Sequence, residues 1–176
     1  MLNINKVKTY SIKNRRSKVE LAYFAKPPAP RRSFLGFYDS LPNILKAKEI
    51  RAVVNAVAGA YKKKKAVIFM AGAHVIKCGL NPVVIELLKK KVITCLALNG
   101  AGIIHDFEIA FGGETSEDVG EGLKTGKFGM ARETADFLNS ATKEGVSGGS
   151  GLGYAVAEKI THSKLRYRNL SILYHA

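Results

Sequence analysis

The stretch AVIFMAGAH (66–74) is an apolar run that ends in small residues, and VITCLALNGAG (92–102) repeats this arrangement. Continuous apolarity is typical of parallel strands that are covered on both faces. Segments with helical spacing precede, separate and follow the two runs. The order helix, strand, helix, strand, helix predicts an α/β fold with a Rossmann-like parallel sheet flanked by helices. Because such sheets usually have about five strands or more, we expect this one to be incomplete.

Lysine clusters end the helices that precede the two runs. We expect one helix to begin at the cap Asp39-Ser40-Leu41-Pro42 and to end at Lys62–Lys65, and a second to run from Asn81-Pro82 to Lys89–Lys91. Cations at these positions complement the negative end of a helix dipole. We therefore favour solvated helix ends over a basic binding patch.

The second half of the chain continues with helical patterns. We expect helices over 103–111, 130–144 and 152–161, the first ended by Gly112-Gly113 and the last two joined by a flexible connector at 145–153. A further helical pattern begins at Leu170 and stops with the sequence. We therefore expect residues 39–176 to form a partial α/β domain.

Charge is distributed unevenly along the chain. The net charge is +14, yet residues 1–65 hold 16 basic and 3 acidic residues, whereas 106–144 hold 9 acidic and 4 basic ones. Residues 1–38 predict an extended basic arm. Its aromatic residues alternate with arginines, a composition that suits single-stranded nucleic acid. Because no nucleic-acid-binding motif surrounds them, we favour an arm that packs on its own domain or on a neighbouring subunit.

Several classes of protein are excluded by composition. No run approaches the roughly 18 uncharged apolar residues of a membrane-spanning helix, and the basic start leads into no signal-peptide core. We expect a soluble cytoplasmic protein without a membrane partner. Cys78 and Cys95 lie in apolar runs, which predicts small hydrophobic side chains and no disulfide framework.

Polar residues lie just beyond the ends of the two predicted strands. These are His74 after the first, and His105 and Asp106 after the second. Ligands of open α/β sheets bind at this edge, so we take His105 and Asp106 as candidate polar or acid/base residues. Together with His74 they could also hold a divalent metal for hydrolysis. Their spacing matches no compact ligand motif, so we favour the polar or acid/base role over a metal site.

The residues 68–79, together with Leu98-Asn99-Gly100-Ala101-Gly102-Ile103-Ile104-His105-Asp106-Phe107-Glu108, resemble the deoxyhypusine synthase family, in particular its bacterial deoxyhypusine-synthase-like branch. The resemblance covers about residues 40–176 and is strongest over 66–119. It implies a Rossmann-like NAD-binding sheet and a homotetramer built from dimers with active sites at the subunit interface. Members use NAD to oxidise the polyamine spermidine and transfer its aminobutyl group to a lysine of a translation initiation factor, or, in relatives, to a small diamine.

The resemblance also implies site residues. The loops that contact NAD in the family fall on Ala73, His74, Val75, Ile76 and Lys77, and on Asn99, Gly100 and Ala101. Two adjacent glutamates that help hold spermidine fall on Ile104 and His105, which makes His105 the candidate substrate-binding residue. The imine-forming lysine belongs to a C-terminal half that would begin where this sequence ends. We expect an NAD-dependent transferase that is incomplete as a single chain; a noncatalytic binding or assembly protein with a basic arm is the second hypothesis.

Overall fold

The structure is a computed structural model that describes residues 6, 8, 10–27, 30 and 33–176. It divides into two compact units, Met1–Ala58 and Gly59–Ala176, whereas the sequence pattern predicts the boundary after residue 38. Part of the arm predicted over residues 1–38 lies outside the described residues, namely positions 1–5, 7, 9, 28, 29, 31 and 32.

The described part is mainly helical, with one small sheet. The strands are β1 (Ile68–Ala71) and β2 (Cys95–Leu98). The helices are α1 (Phe34–Ser40), α2 (Leu45–Lys62), α3 (His74–Lys77), α4 (Asn81–Lys89), α5 (Gly100–Gly112), α6 (Val119–Thr125), α7 (Arg132–Ser147), α8 (Leu152–His162) and α9 (Ile172–His175). Short 3-10 turns span Ile12–Asn14, Leu21–Tyr23 and Arg168–Leu170.

The first unit contains α1 and most of α2, where the sequence predicts a single helix from Asp39. Asp39 instead lies near the end of α1, which begins at a Ser33 cap, with Ser33 Oγ 3.2 Å from the N–H of Gly36. The Arg51 guanidinium donates to the carbonyls of Tyr38 at 3.0 Å and Leu41 at 2.8 Å. These bonds satisfy carbonyls that the end of a helix leaves without partners. Helix α1 therefore ends here, and the next helix, α2, begins at Leu45. Residues 34–38 are therefore helical and not part of an extended arm.

The two strands pair in parallel, which confirms a helix-rich α/β chain with a two-stranded parallel sheet. The register runs from Ile68 opposite Cys95 to Ala71 opposite Leu98. Phe69 and Leu96 pack toward the core, but Ile68 and Met70 are 62% and 78% exposed. The expectation that both faces of the sheet are covered is therefore wrong for the described residues.

Two hydrophobic clusters lie in the second unit and meet at α9. The first is formed by Ile76, Val84, Ile85, Ile93 and Ile172. The second is formed by Ile103, Ala141, Val156, Ile160 and Leu173. Since consecutive residues of α9 enter different clusters, this four-residue helix joins the packing of α3 and α4 to that of α5, α7 and α8.

The helix ends follow the sequence prediction in part. Gly113 ends α5 with φ 79°, and α2 and α4 end at Lys62 and Lys89, as expected. The predicted connector at 145–153 is shorter, because α7 continues to Ser147 and buries Gly145 against α8. A Cβ on Gly145 would lie only 2.7 Å from the Cβ of Ala155, too close for a side chain at this position. Glycine here permits close helix packing and not chain flexibility.

Both cysteines lie at the surface of the protein. Cys78 and Cys95 are free thiols, and both are exposed, so the inference that they serve as small core hydrophobes is wrong. Within the described ranges, no helix combines the length and apolarity that a membrane crossing requires.

Candidate functional site at the strand ends

The loops after β1 and β2 lie side by side. The pairing of Ala71 with Leu98 brings the next residues, Gly72 and Asn99, together at the carboxyl edge of the sheet. A Cβ placed on Gly72 would lie 3.8 Å from Asn99 Nδ2. Paired residues of the two strands are 27 positions apart in sequence. Because the strands are parallel, both loops leave the sheet at the same edge.

The second loop leads directly into the thirteen-residue helix α5. Asn99 caps this helix, its Oδ1 accepting from the N–H of Gly102 at 2.8 Å. A Cβ on Gly102 would lie 3.2 Å from that of Leu98, so glycine allows the helix to approach its strand closely. Gly100 is exposed, and a Cβ at this position would meet open space. An exposed glycine turn at a helix N-terminus offers free N–H groups and the positive end of the dipole to an anion.

The residues of the first loop that are predicted to contact NAD differ in exposure. Ala73 precedes α3 and is half-buried, as is Val75, while His74 and Lys77 are exposed. Ile76 is 2% exposed and packs in the first hydrophobic cluster. Only its backbone could contribute to a ligand site, whereas the imidazole of His74 and the ammonium of Lys77 are accessible.

His105 and Asp106 do not act as a pair. The fully buried carboxylate of Asp106 accepts hydrogen bonds from Ser171 Oγ at 2.6 Å and from the N–H groups of Ile172 at 2.7 Å and Leu173 at 3.0 Å. Burial raises the pKa of Asp106, although these bonds and the charge of His175 lower it in part. Asp106 therefore holds the start of α9, away from any accessible surface.

His105 instead belongs to a polar network on another face of α5. Its Nδ1 lies 2.6 Å from Thr115 Oγ1 and 3.4 Å from Glu108 Oε2. The Thr115 hydroxyl also donates to Glu108, and Thr134 Oγ1 lies 3.4 Å from the other oxygen of that carboxylate. The imidazole and carboxylate are thus oriented by two threonines that the sequence pattern did not single out. The i, i+3 spacing of His105 and Glu108 was the available indication that they share a face.

The same network borders a cleft of about 390 Å³ beside α5 and α7. Its walls combine aromatic rings, carboxylates and hydroxyls: Phe107, Glu108, Phe111, Gly112, Glu114, Thr115, Ser116, Glu117, Ala131, Glu133 and Thr134. We call it the acidic cleft. Carboxylates attract ammonium groups, and aromatic faces bind cations and methylene chains. The excess of acidic residues over 106–144 was the sequence feature that could have revealed it.

A metal site at the predicted residues is not supported by the geometry. Across the described ranges, no three or more His, Cys, Asp or Glu side chains come together as a ligand set for an ion. His74, His105 and Asp106 are no exception, since the Asp106 carboxylate is saturated by donors from Ser171 to Leu173.

Comparison with protein-family models and with curated proteins finds no match for this sequence.

Proposed function

We propose that this chain is a deoxyhypusine-synthase-like protein whose strand-end loops bind NAD in a Rossmann-like manner. Its chemistry is the transfer of an aminobutyl group from a polyamine to a lysine or another amine. The observation that carries the proposal is the adjacency of Gly72 and Asn99 at the N-terminus of α5, where a Cβ on Gly72 would lie 3.8 Å from Asn99 Nδ2. This adjacency brings two glycine-containing loops together at the edge where nucleotides bind to parallel sheets.

The residues present fit NAD in three respects. The exposed turn at Gly100 allows the N-terminus of α5 to approach the pyrophosphate, and Gly102 supplies the close helix–strand packing of dinucleotide sites. Asn99 uses Oδ1 for its cap, which leaves its Nδ2 group to donate to the cofactor. His74 and Lys77 add an accessible donor and a cation. When bound, NAD accepts a hydride from the carbon that carries the amine.

The acidic cleft supports an amine as the second ligand. Its four glutamates attract a protonated polyamine, and the exposed ring of Phe111 offers a face to the methylene groups between the charges, whereas Phe107 is buried behind it against Phe137. His105 reaches this cleft through Thr115 and Glu108, so we assign it a positioning role toward the Glu108 carboxylate.

Calorimetric titration of NAD into the full chain tests the cofactor site. Asn99→Asp keeps an oxygen for the cap of α5 but places a negative charge beside the pyrophosphate, so we expect affinity to fall about tenfold or more. Asn139→Asp, on the exposed side of α7, makes the same charge change elsewhere and should leave affinity unchanged. Absence of heat at millimolar NAD, or equal affinity of Asn99→Asp and the unaltered chain, would contradict the proposal.

The amine part is tested by titrating spermidine in the presence of NAD. Glu114→Gln combined with Glu133→Gln removes two charges from the cleft and should weaken binding, because ammonium–carboxylate attraction is lost. The control is Glu20→Gln combined with Glu158→Gln, which removes two exposed carboxylates outside the cleft. Equal affinity of the two double variants would exclude the acidic cleft as the amine site.

A noncatalytic assembly role is the second candidate, and exposed apolar side chains of the first unit favour it. Phe34 and Leu45 are 82% and 81% exposed, and α2 buries none of its residues. Many large apolar side chains exposed on one unit favour burial against another copy of the chain, so we expect a homo-oligomer. Light scattering after size-exclusion chromatography should show a dimer or tetramer, and Phe34→Ser with Leu45→Ser should weaken it. An oligomer that binds no NAD would favour assembly over the transferase proposal.

A further inference from the structure

A cleft of about 850 Å³ lies at the opposite end of the sheet from the strand-end loops, where α2 and α4 end. Five of its eight lining residues are lysines: Tyr61, Lys62, Lys64, Lys65, Ala66, Lys90, Lys91 and Thr94. We call it the lysine cleft. All of these residues belong to the second compact unit.

Thr94 and Val67 bring the two lysine clusters together. Thr94 Oγ1 accepts from the N–H of Val67 at 2.9 Å and donates to its carbonyl at 3.2 Å, while the N–H of Thr94 donates to that carbonyl at 3.0 Å. These bonds join the segments that lead into β1 and β2. Because a lysine cluster directly precedes each segment, the sheet register itself places the two clusters at one cleft.

The two helices end in the same way, with lysine where glycine is the usual residue. Lys64 and Lys91 adopt left-handed backbone, with φ 51° and 54°. In each case the next N–H reaches back five residues, from Lys65 to the Ala60 carbonyl and from Val92 to that of Leu87, both at 2.9 Å. This is the Schellman termination, in which a side chain at the left-handed position costs stability. Both lysines line the cleft, so positive charge is retained there at the expense of backbone stability.

The charge around the cleft exceeds what the helix ends require. Residues 62–65 and 89–91 supply seven lysines, and Glu86, bonded to Lys90 at 3.0 Å, is the carboxylate paired with them in the described part of the chain. The helix dipole acts only within the last turn and favours one or two cations, so it does not account for four consecutive lysines. A concave surface of one charge concentrates the field on an anion inside it. Ammonium groups bind phosphate as point charges.

We propose that the lysine cleft binds a soluble anion that carries several phosphate groups, such as a polyphosphate or a nucleoside triphosphate. Its volume is that of a small-molecule site. Surfaces that bind single-stranded nucleic acid stack successive bases on several aromatic rings, whereas Tyr61 is the single aromatic residue that lines this cleft. The site is separate from the strand-end loops and does not depend on the NAD proposal.

Titration of inorganic tripolyphosphate into the full chain at about 0.1 M salt tests this site, because longer-range attraction is screened there. We expect Lys64→Gln with Lys91→Gln to weaken binding about tenfold or more, as expected when bonds to charged groups are lost. Lys124→Gln with Lys127→Gln removes the same charge from exposed positions around α6 and should change affinity less than about twofold. Equal losses in the two double variants would overturn the proposal.

Glycine variants separate binding from folding. Lys64→Gly with Lys91→Gly relieves the left-handed backbone, so we expect the melting temperature to rise while tripolyphosphate affinity falls. Unaltered affinity in this variant would overturn the proposal. Titration with ATP distinguishes a polyphosphate from a nucleoside triphosphate as the bound anion. Equal affinity for ATP and tripolyphosphate indicates that the phosphates alone are recognised. Tighter binding of ATP that is lost in Tyr61→Leu indicates that the cleft binds a nucleotide. Binding of a single-stranded oligonucleotide without binding of tripolyphosphate or ATP would refute a small-anion site.

NAD carries two phosphates and could therefore also bind in the lysine cleft, so the variants must distinguish the two sites. Lys64→Gln with Lys91→Gln should leave NAD affinity unchanged, and Asn99→Asp should leave tripolyphosphate affinity unchanged. If the lysine variant abolished NAD binding while Asn99→Asp did not, the lysine cleft would be the nucleotide site and the strand-end proposal would fail.

Discussion

The carboxylate of Asp106 accepts a hydrogen bond of 2.7 Å from the main-chain N–H of Ile172, which lies 66 residues further along the chain. The other carboxylate oxygen accepts from Leu173 and from the hydroxyl of Ser171. Through these bonds a residue in the middle of α5 caps the short helix α9. The cap places Ile172 and Leu173 in the two hydrophobic clusters, so one buried carboxylate connects both parts of the core.

Asp106→Asn should destabilise the fold. An amide nitrogen would replace one carboxylate oxygen and face N–H or O–H donors, leaving at least one buried group unpaired, at a cost of about 1–3 kcal/mol in the free energy of unfolding. Chemical denaturation measures this difference. Asp136→Asn, on an exposed part of α7, is the matched control and should change stability by less than about 0.5 kcal/mol.

The contribution of Asp106 should also depend on pH. Burial raises the pKa of Asp106 in the folded state above its ordinary value of about 3.9, so the folded state binds this proton more tightly than the unfolded chain. The resulting stability is fully present below the ordinary pKa and is lost as pH rises through the folded pKa. The difference in unfolding free energy between the unaltered chain and Asp106→Asn should therefore shrink with rising pH.

This pH comparison is best made with His175→Gln in both proteins, because the charge of His175 also acts on the carboxylate. Titration of all other groups then cancels in the difference. A difference that grew with pH would mean that the hydrogen bonds donated to the carboxylate outweigh burial and that the pKa is lowered.

Gly145→Ala should destabilise the packing of α7 against α8. A Cβ at this position would lie 2.7 Å from that of Ala155, a contact that cannot be relieved by a side-chain rotation. Overpacking of this kind costs about 1–3 kcal/mol. Gly59→Ala in α2 is the matched control, since its Cβ would meet open space and alanine favours helix by up to about 1 kcal/mol. Thermal unfolding should show opposite shifts, and a stabilised Gly145→Ala would refute the close approach of the helices.

Asn99 should respond differently to alanine and aspartate. Alanine removes the oxygen that accepts from Gly102, so Asn99→Ala should lose about 1 kcal/mol of stability, whereas Asn99→Asp keeps the cap. Unfolding in denaturant compares the two. Comparable destabilisation by both variants would mean that the side chain acts through contacts other than the cap.

The sequence predicted the elements that depend on local pattern. Both apolar runs form strands, Gly113 ends α5, and α4 runs from Asn81 to Lys89. The predicted boundaries were wrong where they depend on groups distant in sequence. The start of α2 is decided by the hydrogen bonds of Arg51 to the end of α1. The extent of α7 is decided by its close packing beside Ala155. Of the candidate residues, Gly100 and Asn99 lie at an exposed edge because strand pairing places them there, whereas Ile76 is buried by its cluster.

By itself, the amino-acid sequence determined the alternation of strands and helices, the small residues at the strand ends and the segregation of charge, because periodicity and composition are local properties. Tertiary structure alone decided what the polar residues do. His105 and Asp106 are neighbours in sequence, yet one joins a network with Thr115 and Glu108 and the other caps α9, because successive residues of a helix point about 100° apart. The lysines that end two helices form one cleft because the pairing of β1 with β2 brings those ends together.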